Sequence, residues 1–149
     1  MRVLSIDPAW SKKWAFAYFR DGRLCYFDRV DELDKIPDHD IDYVVTEDPY
    51  PGGNIKKYSY KGWAESYGNL KLAVGMVIQF SKSIRATYQL IRPVDWKTFY
   101  SLTKKTPAEI QDTIRTQLTG IQGDEDLQDA ILIGRYFIEH VMARIESRM

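Results

Sequence analysis

Two short apolar segments of this sequence each end in an acidic residue that proline follows closely. Residues 2–6 lead into Asp7-Pro8, and residues 43–46 lead into Glu47-Asp48-Pro49. A residue before proline is biased away from the helical conformation, so each segment is predicted to be a strand that leaves its sheet there. A carboxylate at such a position needs water or a partner, because burial among apolar side chains is costly. The chain is therefore predicted to contain a sheet with acids at its strand ends.

Taken alone, Asp7 is equally consistent with a turn-capping role, because Asp before proline is common in turns. Glu47 is harder to explain in this way, since the strand before it is apolar on both faces and is predicted to be buried. Open α/β sheets place ligands beyond the carboxyl ends of their strands, which is where Glu47 lies.

A third acidic site opens the last predicted helix. With about 100° per residue, Asp126 lies within roughly 60° of Ala130 on the apolar face, so its side chain is predicted to point toward the core. Asp129 is its neighbour on the helix surface, at the edge of that face. Asp124 and Glu125 are explained as an acidic first turn that complements the helix dipole. That explanation does not account for an inward Asp126.

Carboxylates brought close together require neutralisation. Two of them about 5 Å apart repel each other by roughly 3 kcal/mol at an effective dielectric constant of 20. A bound cation would remove this repulsion, and a set of oxygen ligands favours Mg²⁺ or Mn²⁺. The sequence offers no Cys/His cluster for zinc, because its histidines, His39 and His140, are predicted to be surface residues and Cys25 is its single cysteine.

The order of predicted elements indicates a mixed sheet flanked by helices. Strands are predicted at 2–6, 14–19, 23–29, 43–47 and 87–91, and Asp21-Gly22 is typical of a hairpin turn between the second and third. Helices are predicted at 63–83, at 106–118 and from Asp126 onward, with a loop at 51–62. No internal repeat is found.

Composition limits the class of protein. A chain of 149 residues with 44% hydrophobic content is predicted to form one domain, residues 1–149. With a single cysteine, no signal peptide and no long apolar run, it is expected to be soluble and cytoplasmic, in the host cytoplasm if phage-encoded, without a membrane partner. The balance of 21 basic and 21 acidic residues counts weakly against nucleic-acid binding, because local charge matters more than the sum.

The acidic strand ends and the acidic start of the last helix resemble those of the RuvC-type Holliday junction resolvases, which belong to the RNase H-like (retroviral integrase) superfamily. The likeness covers nearly the whole chain and rests on segments 6–8, 42–47, 92–97 and 126–130, in that order. Ala9 stands where family members usually have glycine, and the segment after Glu47 is longer than in the bacterial enzymes. The resemblance implies an α/β fold of the RNase H-like type, with a mixed five-stranded sheet whose first three strands are antiparallel.

The resemblance also implies an activity, the resolution of four-way (Holliday) or other branched DNA junctions. Its catalytic and metal-binding set would be Asp7, Glu47, Asp126 and Asp129. Two Mg²⁺ ions bridged by Asp7, with Mn²⁺ as a substitute, would support in-line hydrolysis of a phosphodiester without a protein nucleophile. Cutting two symmetric strands implies a homodimer. The long helix at 63–83 could contact a partner, although complete burial within one chain would explain its apolar surface nearly as well.

DNA contacts are predicted for cationic and aromatic residues in loops near the acidic strand ends. Residues 56–63 interleave lysines with aromatic side chains, a mixture that suits phosphate contact and stacking on unpaired bases. The resemblance places Tyr50 where an aromatic residue wedges into the junction, although packing over a turn is an equally common role. The predicted nucleic-acid-binding set is Lys12, Lys13, Tyr50, Lys56, Lys57, Lys61, Lys97, Lys104 and Lys105.

Other classes of protein share parts of this pattern. A nuclease that processes ribosomal RNA, or the nuclease of a DNA-packaging terminase, would have the same acids, but the terminase is disfavoured without an ATPase motor. Actin-like kinases need glycine-rich phosphate loops, which nine scattered glycines do not supply. A non-catalytic junction-binding protein would have lost one of the four acidic residues of the catalytic set. All four are present, so this class is the least favoured.

Overall fold

The computed structural model describes residues 1–8, 13–48, 60–100 and 125–148, without the side chains of residues 60–63 and 146. The strands are β1 (Arg2–Asp7), β2 (Trp14–Arg20), β3 (Arg23–Val30), β4 (Tyr43–Glu47) and β5 (Thr87–Ile91). The helices are α1 (Tyr60–Ser83), α2 (Pro93–Phe99), α3 (Glu125–Tyr136) and α4 (Ala143–Ser147). A 3₁₀ turn (Leu33–Lys35) follows β3, and a π-helical segment (Phe137–Met142) joins α3 to α4.

The strands of the described residues form a five-stranded mixed sheet in the order β3-β2-β1-β4-β5. β2 pairs antiparallel with both β1 and β3, whereas β4 is parallel to β1 and β5 is parallel to β4. The predicted arrangement, with antiparallel first strands and flanking helices, is therefore confirmed. Since β1 and β4 are adjacent and parallel, their last residues, Asp7 and Glu47, lie at one edge of the sheet.

The hairpin between β2 and β3 has the predicted turn. Asp21 and Gly22 have positive φ angles of 52° and 81°. This left-handed pair is the backbone of a two-residue turn whose twist matches that of the strands, and it favours Asn or Asp followed by Gly. The amino terminus of Met1 also lies 2.7 Å from an Asp21 carboxylate oxygen, which ties the start of β1 to this turn.

The two faces of the sheet pack against different helices. Leu4 and Ile6 of β1 belong to the buried cluster under α1, whereas Val3 belongs to the cluster under α3. Side chains alternate across a strand, so Asp7 points to the same face as Val3 and toward α3. This alternation decides which helix can contribute to a site at the end of β1.

A glycine allows α3 to pack closely against this face. A Cβ atom added to Gly134 would overlap the Phe19 ring and lie 3.0 Å from the Ser5 Cβ atom. The absent side chain therefore lets the helix backbone approach the centre of the sheet. The first turn of α3 then lies over the edge where β1 and β4 end.

Helix α1 is amphipathic rather than buried all round. Ala73, Val77 and Phe80 are buried against the sheet, whereas Leu72 is 56% exposed and Met76 is 49% exposed. Complete burial of this helix within one chain is therefore excluded. No helix in the described ranges combines the length and apolar character needed to cross a lipid bilayer.

Three sequence predictions need correction or lie outside the described residues. The predicted loop at 51–62 is wrong at its end, because α1 begins at Tyr60 and includes Gly62. The first turn of a helix lacks its own acceptors for backbone N–H groups, so a glycine there is a weak signal against a helix. The last helix is predicted from Asp126 onward with α-helical periodicity, whereas the structure has a helix from Glu125 to Ser147 with π-helical geometry at Phe137–Met142. The helix predicted at 106–118 lies outside the described residues.

Candidate active site

Asp7 and Glu47 are held side by side by the pairing of β1 with β4. Ile6 is in register with Thr46, and the buried Thr46 hydroxyl donates a 2.7 Å hydrogen bond to the Ile6 carbonyl oxygen. This bond fixes the last paired residues of both strands. Val45 packs in the cluster under α3, so Glu47, two residues later, points to the same face as Asp7.

Asp126 and Asp129 lie in the first turns of α3, over this edge. Glu125 is exposed, as predicted, and Asp129 is partly buried. The Asp126 side chain is 26% exposed, so it lies at the boundary between core and solvent instead of pointing fully inward. The position at the helix start explains this difference, because the apolar face is covered by the sheet only from Gln128 onward.

The four carboxyl groups interact electrostatically. Burial raises the pKa of Asp7 to about 9, and the negative charges of Asp129, Asp126 and Glu47 add to this effect. Burial, followed by the charge of Glu47, raises the pKa of Asp129 to about 7. Burial also raises the pKa of Glu47. The structure therefore brings together the four acids that were predicted from three distant parts of the sequence.

These acids are neighbours without being arranged as ligands of an ion. Within residues 1–8, 13–48, 60–100 and 125–148, no three His, Cys, Asp or Glu side chains are grouped as a metal site. Glu47 Oε2 instead accepts a 2.7 Å hydrogen bond from Trp96 Nε1, and Asp126 Oδ2 lies 3.5 Å from Arg29 Nη2. A cation would therefore require the side chains to change position.

Trp96 and Arg29 were not predicted to contribute to the site. Trp96 lies in α2, within the 92–97 segment that supports the family resemblance, and it is 1% exposed. Arg29 lies on the same cross-strand row as Asp7, because Asp7 pairs with Ala15 and Ala15 pairs with Arg29. The segment pointed to the neighbourhood of Trp96, but no local signal in the sequence identifies Arg29.

Among the predicted lysines, Lys97 lies near the acids. Its charge lowers the pKa of both Glu47 and Asp129, against the larger effect of burial. Lys13 precedes β2 and is exposed. The hydrogen bond from Lys35 is the main cause of the lowered pKa of Asp31, and the charge of Lys13 contributes little to it. Lys61 is in α1, but its side chain is outside the described set. The other predicted residues lie outside the described residues: Lys12, Tyr50, Lys56, Lys57, Lys104 and Lys105.

The two histidines differ in exposure. His39 is exposed, as predicted. His140 is only partly exposed, because its ring lies against Phe99 and Tyr136 and forms a 2.9 Å hydrogen bond with Arg144. His140 is thus part of an aromatic cluster instead of a free surface residue.

The solved structures that match this fold along almost the whole chain include two of RuvC. The Thermus thermophilus RuvC structure gives a TM-score of 0.62 at 15% identity and covers 97% of both chains. The structure of T. thermophilus RuvC in complex with Holliday junction substrate gives a TM-score of 0.63 at 14% identity and covers 96% of both chains. The fold is RNase H-like. No protein-family model and no curated protein matches the sequence.

Proposed function

We propose that this protein is a metal-dependent endonuclease that cleaves four-way or other branched DNA junctions. The observation that carries the proposal is the meeting of Asp7, Glu47, Asp126 and Asp129 at one edge of an RNase H-like sheet. The similarity to RuvC, including a complex with Holliday junction substrate, supports this choice of substrate.

The chemistry of the acids fits a hard divalent cation. Partly buried carboxyl groups with raised pKa values carry an electrostatic cost that a cation would remove. Carboxylate oxygens are preferred ligands of Mg²⁺ and Mn²⁺. Asp7 interacts with all three of the other acids, so it is the residue that would be shared between two ions. When bound, such ions lower the pKa of an attacking water and stabilise the leaving oxygen.

The neighbouring residues would orient the acids and the substrate. Trp96 fixes one oxygen of Glu47 by its hydrogen bond, and the other oxygen would then be the one that binds an ion. Lys97 supplies a positive charge beside Glu47 and Asp129, where it would contact a phosphate of the DNA. Phosphodiester hydrolysis would need no side chain as nucleophile, because water is the attacking group.

The test uses labelled four-way, flap and linear duplex DNA and a structured RNA, each incubated with Mg²⁺, Mn²⁺, Ca²⁺ or EDTA. We expect symmetric nicks in the four-way substrate with Mg²⁺, and no cleavage with EDTA or by Asp7→Asn. Cleavage by Asp7→Asn at the wild-type rate, or no cleavage of any substrate with Mg²⁺ or Mn²⁺, would overturn the proposal. Preferential cleavage of the RNA would identify structured RNA, instead of a DNA junction, as the substrate.

A further inference from the structure

Arg29 is placed against the acidic cluster by strand register. Asp7, Ala15 and Arg29 occupy one row across β1, β2 and β3. Ala15 is fully buried, and its methyl group is too short to separate the longer side chains on either side. Nη2 of the Arg29 guanidinium lies 3.5 Å from Asp126 Oδ2. The side chain of Arg29 is 34% exposed and that of Asp126 is 26% exposed.

The contact between Arg29 and Asp126 is a partly exposed ion pair. A charge-assisted N–H···O hydrogen bond is usually about 2.7–2.9 Å long, so the 3.5 Å contact between Nη2 and Oδ2 is an ion pair. Partly exposed ion pairs of this kind contribute little to folding stability. A guanidinium also keeps its positive charge at every pH at which proteins are studied. Arg29 is therefore a permanent cation beside one of the four acids.

We propose that Arg29 is a built-in counter-ion of the acidic cluster and that a divalent cation must displace it from Asp126. This inference rests on the proposed function, because it concerns the same site. In the described arrangement Arg29 holds Asp126 and Trp96 holds Glu47, so both carboxylates have partners other than an ion. Arg29 is thus a positioning residue that sets how much free Mg²⁺ the protein requires.

The direction of its effect separates this role from a structural one. A positive charge near a cation site weakens cation binding, so removal of Arg29 should strengthen it. A residue that only supported the fold would weaken metal binding when removed, or leave it unchanged. The expected change is roughly fivefold or more, the size expected for one unit charge several ångströms from a divalent ion in a wet cleft.

The experiment measures Mg²⁺ and Mn²⁺ affinity of the DNA-free protein by isothermal titration calorimetry. The variants are Arg29→Gln, which removes the charge, and Arg29→Lys, which retains it. The matched control is Arg2→Gln, because Arg2 is also 34% exposed and ion-paired, to Asp40, but lies at the opposite end of β1. Asp7→Asn gives the baseline without the site. Thermal melting monitored by circular dichroism tests whether each variant folds. Arg29→Met replaces Arg29→Gln if Arg29→Gln does not fold.

We expect Arg29→Gln to bind Mn²⁺ roughly fivefold more tightly than wild type, while Arg29→Lys and Arg2→Gln remain at the wild-type affinity. Equal or weaker binding by Arg29→Gln, with binding abolished in Asp7→Asn, would overturn the counter-ion role and leave the nuclease proposal intact. Equal tightening by Arg2→Gln would also overturn it, because the effect would then be one of net charge. Absence of metal binding in wild type would overturn both proposals.

Discussion

The indole Nε1–H of Trp96 donates a 2.7 Å hydrogen bond to Glu47 Oε2, although the two residues are 49 positions apart. Glu47 ends β4, and Trp96 lies in α2, which follows the neighbouring strand β5. Because Trp96 is almost completely buried, its ring has little freedom, and the bond fixes the orientation of the carboxylate. The bond also lowers the pKa of Glu47, in opposition to burial, so it favours the charged form that a cation would bind.

Replacing Trp96 by phenylalanine should therefore reduce cleavage of branched DNA. Loss of a residue that orients a metal ligand typically reduces activity or metal affinity by about 10- to 100-fold, and we expect a decrease of that size. Phenylalanine keeps an aromatic ring in the core but leaves Glu47 without its donor, which should lower the free energy of unfolding by about 1–3 kcal/mol. Single-turnover cleavage and urea denaturation measure the two effects.

The matched control is Trp14→Phe. Trp14 is also buried, but it belongs to the cluster under α1, on the other face of the sheet. Its replacement should cost stability without slowing cleavage. An equal loss of cleavage in both variants would show that the effect of Trp96 comes from packing and not from its bond to Glu47.

Asp7 should make the stability of the metal-free protein depend on pH. Its pKa is raised from 3.8 to about 9 in the folded state, so its contribution to stability is complete below about pH 4 and is lost as pH rises toward 9. Asp7→Asn cannot ionise and avoids this loss. In EDTA the variant should therefore be more stable than wild type at pH 8, by an amount on the order of 2 kcal/mol, and similar to it at pH 4.

Thermal melting between pH 4 and pH 9 measures this difference, with the exposed Asp34→Asn as the control. Addition of Mg²⁺ at pH 8 should raise the melting temperature of wild type and leave that of Asp7→Asn unchanged, because a ligand stabilises only the state that binds it. A variant that is less stable than wild type throughout the pH range would contradict the raised pKa of Asp7.

Local rules in the sequence were sufficient for most strand boundaries. The ends of β1 and β4 follow from acids that a proline follows within two residues, and the hairpin follows from Asp21-Gly22, whose positive φ angles few other residue pairs adopt easily. The three acidic sites could also be predicted, because each lies at a strand end or a helix start. Their meeting follows once β1 and β4 are parallel neighbours under α3.

The contacts that modify these acids could not be predicted in this way. The Arg29–Asp126 pair depends on the register of two antiparallel strand pairs and on the place of α3 above them. The Trp96–Glu47 bond depends on the angle at which α2 leaves β5. The π-helical segment leaves the apolar pattern of the last helix unbroken, so periodicity gave no sign of it. Such features are set by tertiary packing and not by short stretches of sequence.

Gly134 should be intolerant of a side chain. A Cβ atom there would overlap the Phe19 ring, so Gly134→Ala must push α3 away from the sheet. We expect a loss of about 2 kcal/mol in the free energy of unfolding, as for other overpacked cores. The control is Gly75→Ala in α1, where nothing lies within 4 Å and where alanine should stabilise the helix by about 0.5–1 kcal/mol. Urea denaturation of both variants measures the contrast, and equal stability of the two would contradict the close approach of α3.

The exposed apolar side of α1 should control self-association. Leu72 and Met76 lie one turn apart on this helix and are 56% and 49% exposed, so burial of both against a second copy would be favourable. We propose that they form part of the interface of a homodimer, the assembly that presents two sites to the two strands of a four-way junction. Leu72→Glu combined with Met76→Glu should yield a monomer with little change in stability, because neither side chain is fully buried within the chain.

Sedimentation velocity measures the assembly state, and circular dichroism measures the stability of the same samples. The control is Lys71→Glu, an exposed residue of α1 whose replacement also adds negative charge. This variant should sediment as wild type does. A monomeric wild-type protein at micromolar concentration, or a dimer that persists in the double variant, would exclude Leu72 and Met76 from the interface. Cleavage by the monomeric double variant should produce single nicks in place of paired ones, because one site can reach only one strand at a time.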